Sequence, residues 1–127
     1  MHCYYFKSYF LTIYLATIQI DFTQSGELEE NRTFFLNCDS GITDSLVDYF
    51  WLKDGREIDP DFLNVTIKNK EKFIIFNRLD HFKNDGCYTC QVKIKNSQQI
   101  ISNDILIEVK RIYKNNIKFF FLILNLN

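Results

Sequence analysis

The sequence predicts an all-β protein, a two-sheet antiparallel sandwich. Three observations predict it. Apolar residues alternate with polar ones at a period of two in several short runs. Turn-forming residues punctuate those runs at short intervals, and no amphipathic helical pattern of useful length competes with them. The 127 residues fit one domain, and an apolar content of 46% with 17% aromatics is enough for a packed core.

The first segment, residues 1–20, reads as a signal peptide. A lone Lys7 precedes the apolar run Tyr9–Ile18, which is too short to span a bilayer but fits a signal-peptide core. Thr23-Gln24-Ser25 is the best small-residue cleavage candidate. Ile18, Ile20 and Phe22 also alternate as a first strand, and both readings hold if cleavage falls nearer Ala16.

The strands follow in order. Phe34, Leu36 and Cys38 share one parity and should point inward, as should Tyr49 and Trp51. Ile74 and Phe76, with Leu79 beyond, make the next apolar set. Tyr88, Cys90, Val92 and Ile94 make another, and Ile105, Ile107 and Val109 the last. Asp39-Ser40-Gly41, Asp54-Gly55, Asn84-Asp85-Gly86 and Asn96-Ser97 supply the turns between them. Residues 112–127 are a basic and apolar tail, far below the ~20 residues of a transmembrane helix. They are expected to be irregular, or the stub of a truncated membrane segment.

Leu36-Asn37-Cys38, Trp51-Leu52-Lys53-Asp54-Gly55 and Asp85-Gly86-Cys87-Tyr88-Thr89-Cys90 stand at an order and spacing that resembles the immunoglobulin superfamily. The resemblance covers about residues 22–111, and the domain is expected over residues 21–111. The 52 positions from Cys38 to Cys90 leave little room for the extra strands of a variable-type domain, and the chain looks I-set-like. The resemblance implies a disulfide between Cys38 and Cys90, Trp51 packed against it, and a corner closed by the Tyr88 hydroxyl. The family corner reads Asp-x-Gly-x-Tyr-x-Cys. Here Asn84 holds the aspartate slot, and the segment from Leu79 to Tyr88 looks one residue longer. That puts in question the arginine–aspartate bridge of many relatives.

Most chemistry is unsupported. A net charge of −1 gives no electrostatic case for nucleic acid. Cys87 and Cys90 form a C-x-x-C, but positions three apart on a strand face opposite sides and cannot share a metal. The two histidines, His2 and His81, have no partner cluster in the sequence, and no phosphate loop or triad can be assembled. No enzyme activity, metal, cofactor or small-molecule substrate is expected. The cysteines number four, and removal of the first segment takes Cys3 and leaves three. Cys87 is then either a buried, unreactive thiol or the link of an inter-chain disulfide.

Asn31-Arg-Thr33 and Asn64-Val-Thr66 are glycosylation sequons. Parity places Asn31 with outward Thr33 and Phe35, and Asn64 with outward Thr66, so sugars should decorate one sheet. The other sheet then offers a bare face of Phe50, Leu52, Thr89, Gln91, Lys93, Leu106 and Glu108. In it Phe50, Leu52 and Leu106 should form an apolar patch with a polar rim. Phe35, Phe73 and Ile75 form a rival outward set on the sugared sheet.

The resemblance implies an extracellular protein-recognition domain, secreted or on the outer side of the plasma membrane. It would act in adhesion or as a receptor-ectodomain fragment, binding a partner protein or a second copy. A membrane tether follows only if the tail is a truncated span. The alternative is a structural spacer domain without a dedicated ligand, including an intracellular one.

Overall fold

The computed structural model describes Cys3 and residues 19–112. Eight strands run in order: β1 (Asp21–Ser25), β2 (Phe34–Asp39), β3 (Val47–Lys53), β4 (Arg56–Glu57), β5 (Val65–Ile67), β6 (Phe73–Phe76), β7 (Gly86–Ile94) and β8 (Ile100–Ile107). They pair into two antiparallel sheets, ordered β1-β2-β6-β5 and β4-β3-β7-β8.

The alternation fixes what lies between the sheets. β2 buries Phe34, Leu36 and Cys38 and turns Phe35 outward. β3 buries Val47, Tyr49 and Trp51; β6 buries Ile74 and Phe76; β7 buries Tyr88, Cys90 and Val92. The aromatic centre is tight, with ring centroids of Phe34 and Phe76 5.8 Å apart and Phe76 meeting Tyr88 edge-on at 5.4 Å. Two residues expected inward, Ile94 and Ile105, are only partly buried. Ile94 ends β7, and Ile105 lies on β8, the last strand in its sheet's order.

The sandwich takes in Ile20, one residue before the expected boundary. Ile20 is buried, and its carbonyl accepts from Asn103 Nδ2 at 2.9 Å. Phe22 leans on Trp51, their ring centroids 6.1 Å apart. A first strand does form, but β1 begins at Asp21 and so holds Phe22 and not Ile20, while Ile18 falls outside the described residues. Of the segment expected to be a signal peptide, only Cys3, Gln19 and Ile20 are described, and the tail beyond Ile112 is not. Among the described residues no helix is long and apolar enough to cross a membrane.

Local chemistry places the connections. Asp54 (φ 50°) and Gly55 (φ 79°) close the β3–β4 hairpin with the left-handed pair that a two-residue turn requires. A single helical turn, α1 (Pro60–Leu63), starts where the Asp59 carboxylate accepts from the Asp61 and Phe62 N–H groups, with Pro60 in the first turn. A second, α2 (His81–Asn84), starts on Asp80 in the same way. Neither is long enough to have registered as an amphipathic helix in the sequence. Between β1 and β2 the chain crosses to the second sheet, where Glu30 N–H donates to Lys110 O at 2.9 Å and Lys110 N–H to Leu28 O at 2.8 Å.

Candidate binding face

The residues that anchor the sandwich also fix where its outer faces lie. Cys38 and Cys90 are bonded across the two sheets and fully buried, with Cα atoms 6.5 Å apart. Trp51 is buried on the strand beside them, in register with Cys90. The Tyr88 hydroxyl donates to the Asn84 carbonyl at 2.7 Å. Burial pushes the Tyr88 phenol well above its usual range, so it stays a donor.

Asn84 in the aspartate slot has a structural reason. Its Nδ2 donates to the Leu63 carbonyl at 2.8 Å, and its Oδ1 accepts from the Asp80 N–H at 2.8 Å. The site presents one acceptor and one donor, which a carboxamide satisfies and a carboxylate does not. The arginine–aspartate bridge is absent at this slot: Arg78 Nε donates instead to Asn31 Oδ1 at 3.0 Å. Asp85 ties down the next stretch, accepting from the Val109 N–H at 2.6 Å and lying 3.0 Å from His81 Nδ1.

With the inner residues fixed, the outer face of the β4-β3-β7-β8 sheet follows from register. Its rows run Asp48–Lys93–Ile100, Phe50–Gln91–Ser102 and Leu52–Thr89–Asp104, with Cys87–Leu106 last. Phe50 is 37% exposed, Leu106 41% and Ile100 57%. The expected single patch does not form. Phe50 and Leu106 lie two strands and four residues apart, roughly 16 Å by strand geometry. Between them stand Gln91 and a Thr89 hydroxyl that donates to Asp104 Oδ1 at 2.7 Å. The face is a polar centre between apolar corners, because an apolar parity on one strand says nothing about the residues that register sets beside it. Asp104 and Ile100, which share the parity of Leu106, lie on this face as well.

Cys87 is a second correction. It is neither a free thiol nor an inter-chain link: its sulfur is bonded to Cys3 within the chain, and among the described residues no cysteine is free. Parity points Cys87 out of the sandwich and Cys90 into it, so only a cysteine arriving from outside can reach Cys87. Setting Cys3 aside with the leader had left an odd count, whereas four cysteines pair evenly.

Beside this bridge, Asp54 Oδ1 accepts from the Cys87 N–H at 2.9 Å, and Lys53 Nζ donates to Asp54 Oδ2 at 3.0 Å. Burial opposes ionisation of Asp54, but this N–H and the ammonium outweigh it and hold the carboxyl below its ordinary range. The resulting stability is present above the unfolded carboxylate pKa and is lost as pH falls through the lowered folded value. Asp54→Ala should therefore flatten part of the acid limb of a stability profile, read by urea unfolding between about pH 2 and pH 5.

The sequons meet at one end of the other sheet. Asn31 is not on the strand, as parity had suggested, but in the turn before β2, with φ 70° and its N–H on the Leu79 carbonyl. Asn64 ends α1, with φ 55° and ψ 48°. Asn77 stands between them: Thr33 Oγ1 donates to its carbonyl at 3.0 Å, and its Nδ2 donates to Thr66 Oγ1 at 3.2 Å. On the same sheet Phe35 and Phe73 are exposed and Ile75 is partly covered.

No protein-family model matches the sequence, and no curated protein matches it. Solved structures do. The insect immune protein hemolin, whose domain arrangement has implications for homophilic adhesion, is similar at 24% identity and a TM-score of 0.50, over 65% of this chain and 20% of hemolin. Drosophila OTK, extracellular domains 3–5, is similar at 18% identity and a TM-score of 0.48, over 64% of this chain and 31% of that one. Titin domains Z1Z2 in complex with telethonin are similar at 17% identity and a TM-score of 0.47, over 73% and 48%. This chain thus spans about a fifth of the hemolin chain. The hemolin likeness bears on the fold.

Proposed function

We propose that this chain, which has the immunoglobulin fold, is an extracellular protein-recognition domain that binds a partner protein or a second copy through the outer face of its β4-β3-β7-β8 sheet. Fold alone does not give function. What supports this choice of face is the distribution of surface chemistry. Both sequons sit at one end of the opposite sheet, while this sheet presents Phe50 and Leu52 at one corner, Leu106 at another, and Gln91, Lys93 and Thr89 between them. A polar field with aromatic and aliphatic anchors has the make-up of a non-obligate interface. Two disulfides favour an oxidising compartment, and Asn31 and Asn64 would carry sugars there. Adhesion is the role that hemolin's domain arrangement brings to mind, and it comes to this chain only as a proposal. Binding, not catalysis, is the activity proposed.

Phe50→Asp and Leu106→Asp test the face. Each should weaken association by about 10-fold or more, since a charge replaces an interface anchor. Self-association is read by analytical ultracentrifugation and a heterologous partner by biosensor, with circular dichroism to confirm folding. Unchanged association in folded variants would rule the face out. Absence of any saturable partner would leave the spacer role. The intact mass of the secreted protein, with and without reduction, reports whether Cys3 stays with its bridge or leaves with a leader.

A further inference from the structure

Phe62 is an exposed aromatic that the proposed binding face does not use. It lies in α1, between β4 and β5, and is 59% exposed. Lys83 Nζ sits 5.4 Å from its ring centroid, which accounts for one face of the ring. Phe62 stands two residues before Asn64, and Thr66 two residues after it, so the run reads Phe-x-Asn-x-Thr.

The turn holding these three side chains is fixed at several points. Asn64 is left-handed, a conformation that asparagine tolerates better than most residues. Its carbonyl accepts from both the Asn77 N–H at 3.1 Å and Asn77 Nδ2 at 3.2 Å. Thr66, exposed on β5, is held by Asn77 as well. Asn31 gives the contrast within the same chain: Glu29 stands two residues before it, and Arg78 holds its Oδ1.

We infer that Asn64 carries an N-linked glycan whose first sugar stacks on Phe62, so that the exposed ring is a carbohydrate platform built into the turn. This rests on the extracellular reading above. In the attachment step the Asn64 amide nitrogen attacks the anomeric carbon of the first N-acetylglucosamine of a lipid-pyrophosphate-linked oligosaccharide. A C–N bond forms, the bond from that carbon to the pyrophosphate oxygen breaks, the lipid pyrophosphate leaves, and the amide gives up one proton. The C–H groups on the apolar face of the sugar then meet the electron-rich face of the ring. The contact covers apolar surface that would otherwise face water.

The test is a cycle in stability. Full-length chain secreted from eukaryotic cells, with its glycans trimmed enzymatically to the first N-acetylglucosamine, is compared with the same chain made unglycosylated in bacteria and oxidatively folded. Both are then repeated with Phe62→Ala. Site occupancy is read by peptide mass spectrometry and Tm by calorimetry. The sugar should raise Tm by about 5 °C when Phe62 is present, and that increment should vanish in Phe62→Ala. An occupied Asn64 whose increment survives Phe62→Ala would overturn the stacking. An empty Asn64 in a secreted protein occupied at Asn31 would overturn the site while leaving the extracellular reading standing. A chain that is neither secreted nor glycosylated would overturn both.

Discussion

Replacing Cys38 and Cys90 together by alanine should lower the unfolding free energy by about 4 kcal/mol, the loop-closure entropy that a bridge spanning 52 positions removes from the unfolded chain. For a sandwich of this size that is a fall in Tm of about 20 °C. The loss should appear as a lower urea midpoint. Both sulfurs are fully buried between the sheets, so truncation also leaves a small cavity that adds to the cost. Trp51, the single tryptophan, lies in register with Cys90 and reports the transition by fluorescence. A double variant as stable as the parent would mean that packing around Phe34, Phe76 and Tyr88 carries the fold without the cross-link.

Asn84→Asp should destabilise the folded state by about 3 kcal/mol at neutral pH, although aspartate is the residue that the family corner usually has there. The reason is local. The buried Asn84 amide donates to the Leu63 carbonyl, and an ionised carboxylate in its place would set two acceptors against each other. Protonation restores a donor. The folded-state pKa of the new carboxyl is therefore raised above its unfolded value. The variant's stability is fully present below the unfolded pKa and is lost as pH rises through the folded one. Urea midpoints measured from about pH 3 to pH 8 should fall with rising pH relative to the parent. A flat difference across that range would mean that Leu63 moves away and water takes its place.

The same corner shows where sequence reasoning reaches and where it stops. The Tyr88 hydroxyl was expected to close a corner, and it does, on the Asn84 carbonyl. That Asn84 also answers a carbonyl 21 residues away, at Leu63, depends on α1 and α2 lying side by side, which no local pattern records. The binding face divides in the same way. Parity named Phe50, Leu52, Gln91, Lys93 and Leu106 as outward, and they are. Their arrangement into a polar centre with apolar corners waited on the pairing of Thr89 with Asp104 and of Cys87 with Leu106.

By itself the sequence determined the two-sheet architecture, the inward set apart from the partly buried Ile94 and Ile105, and the outward parity of each strand, because a strand's side chains alternate whatever it pairs with. Tertiary structure alone decided what lies next to what. Cys87 meets Cys3 across 84 positions, Asn77 gathers the threonines of two sequons, and Arg78 turns to Asn31. Each of these contacts joins segments remote along the chain, and their approach is set by sheet register and by the packing of whole elements, quantities that a period of two does not carry.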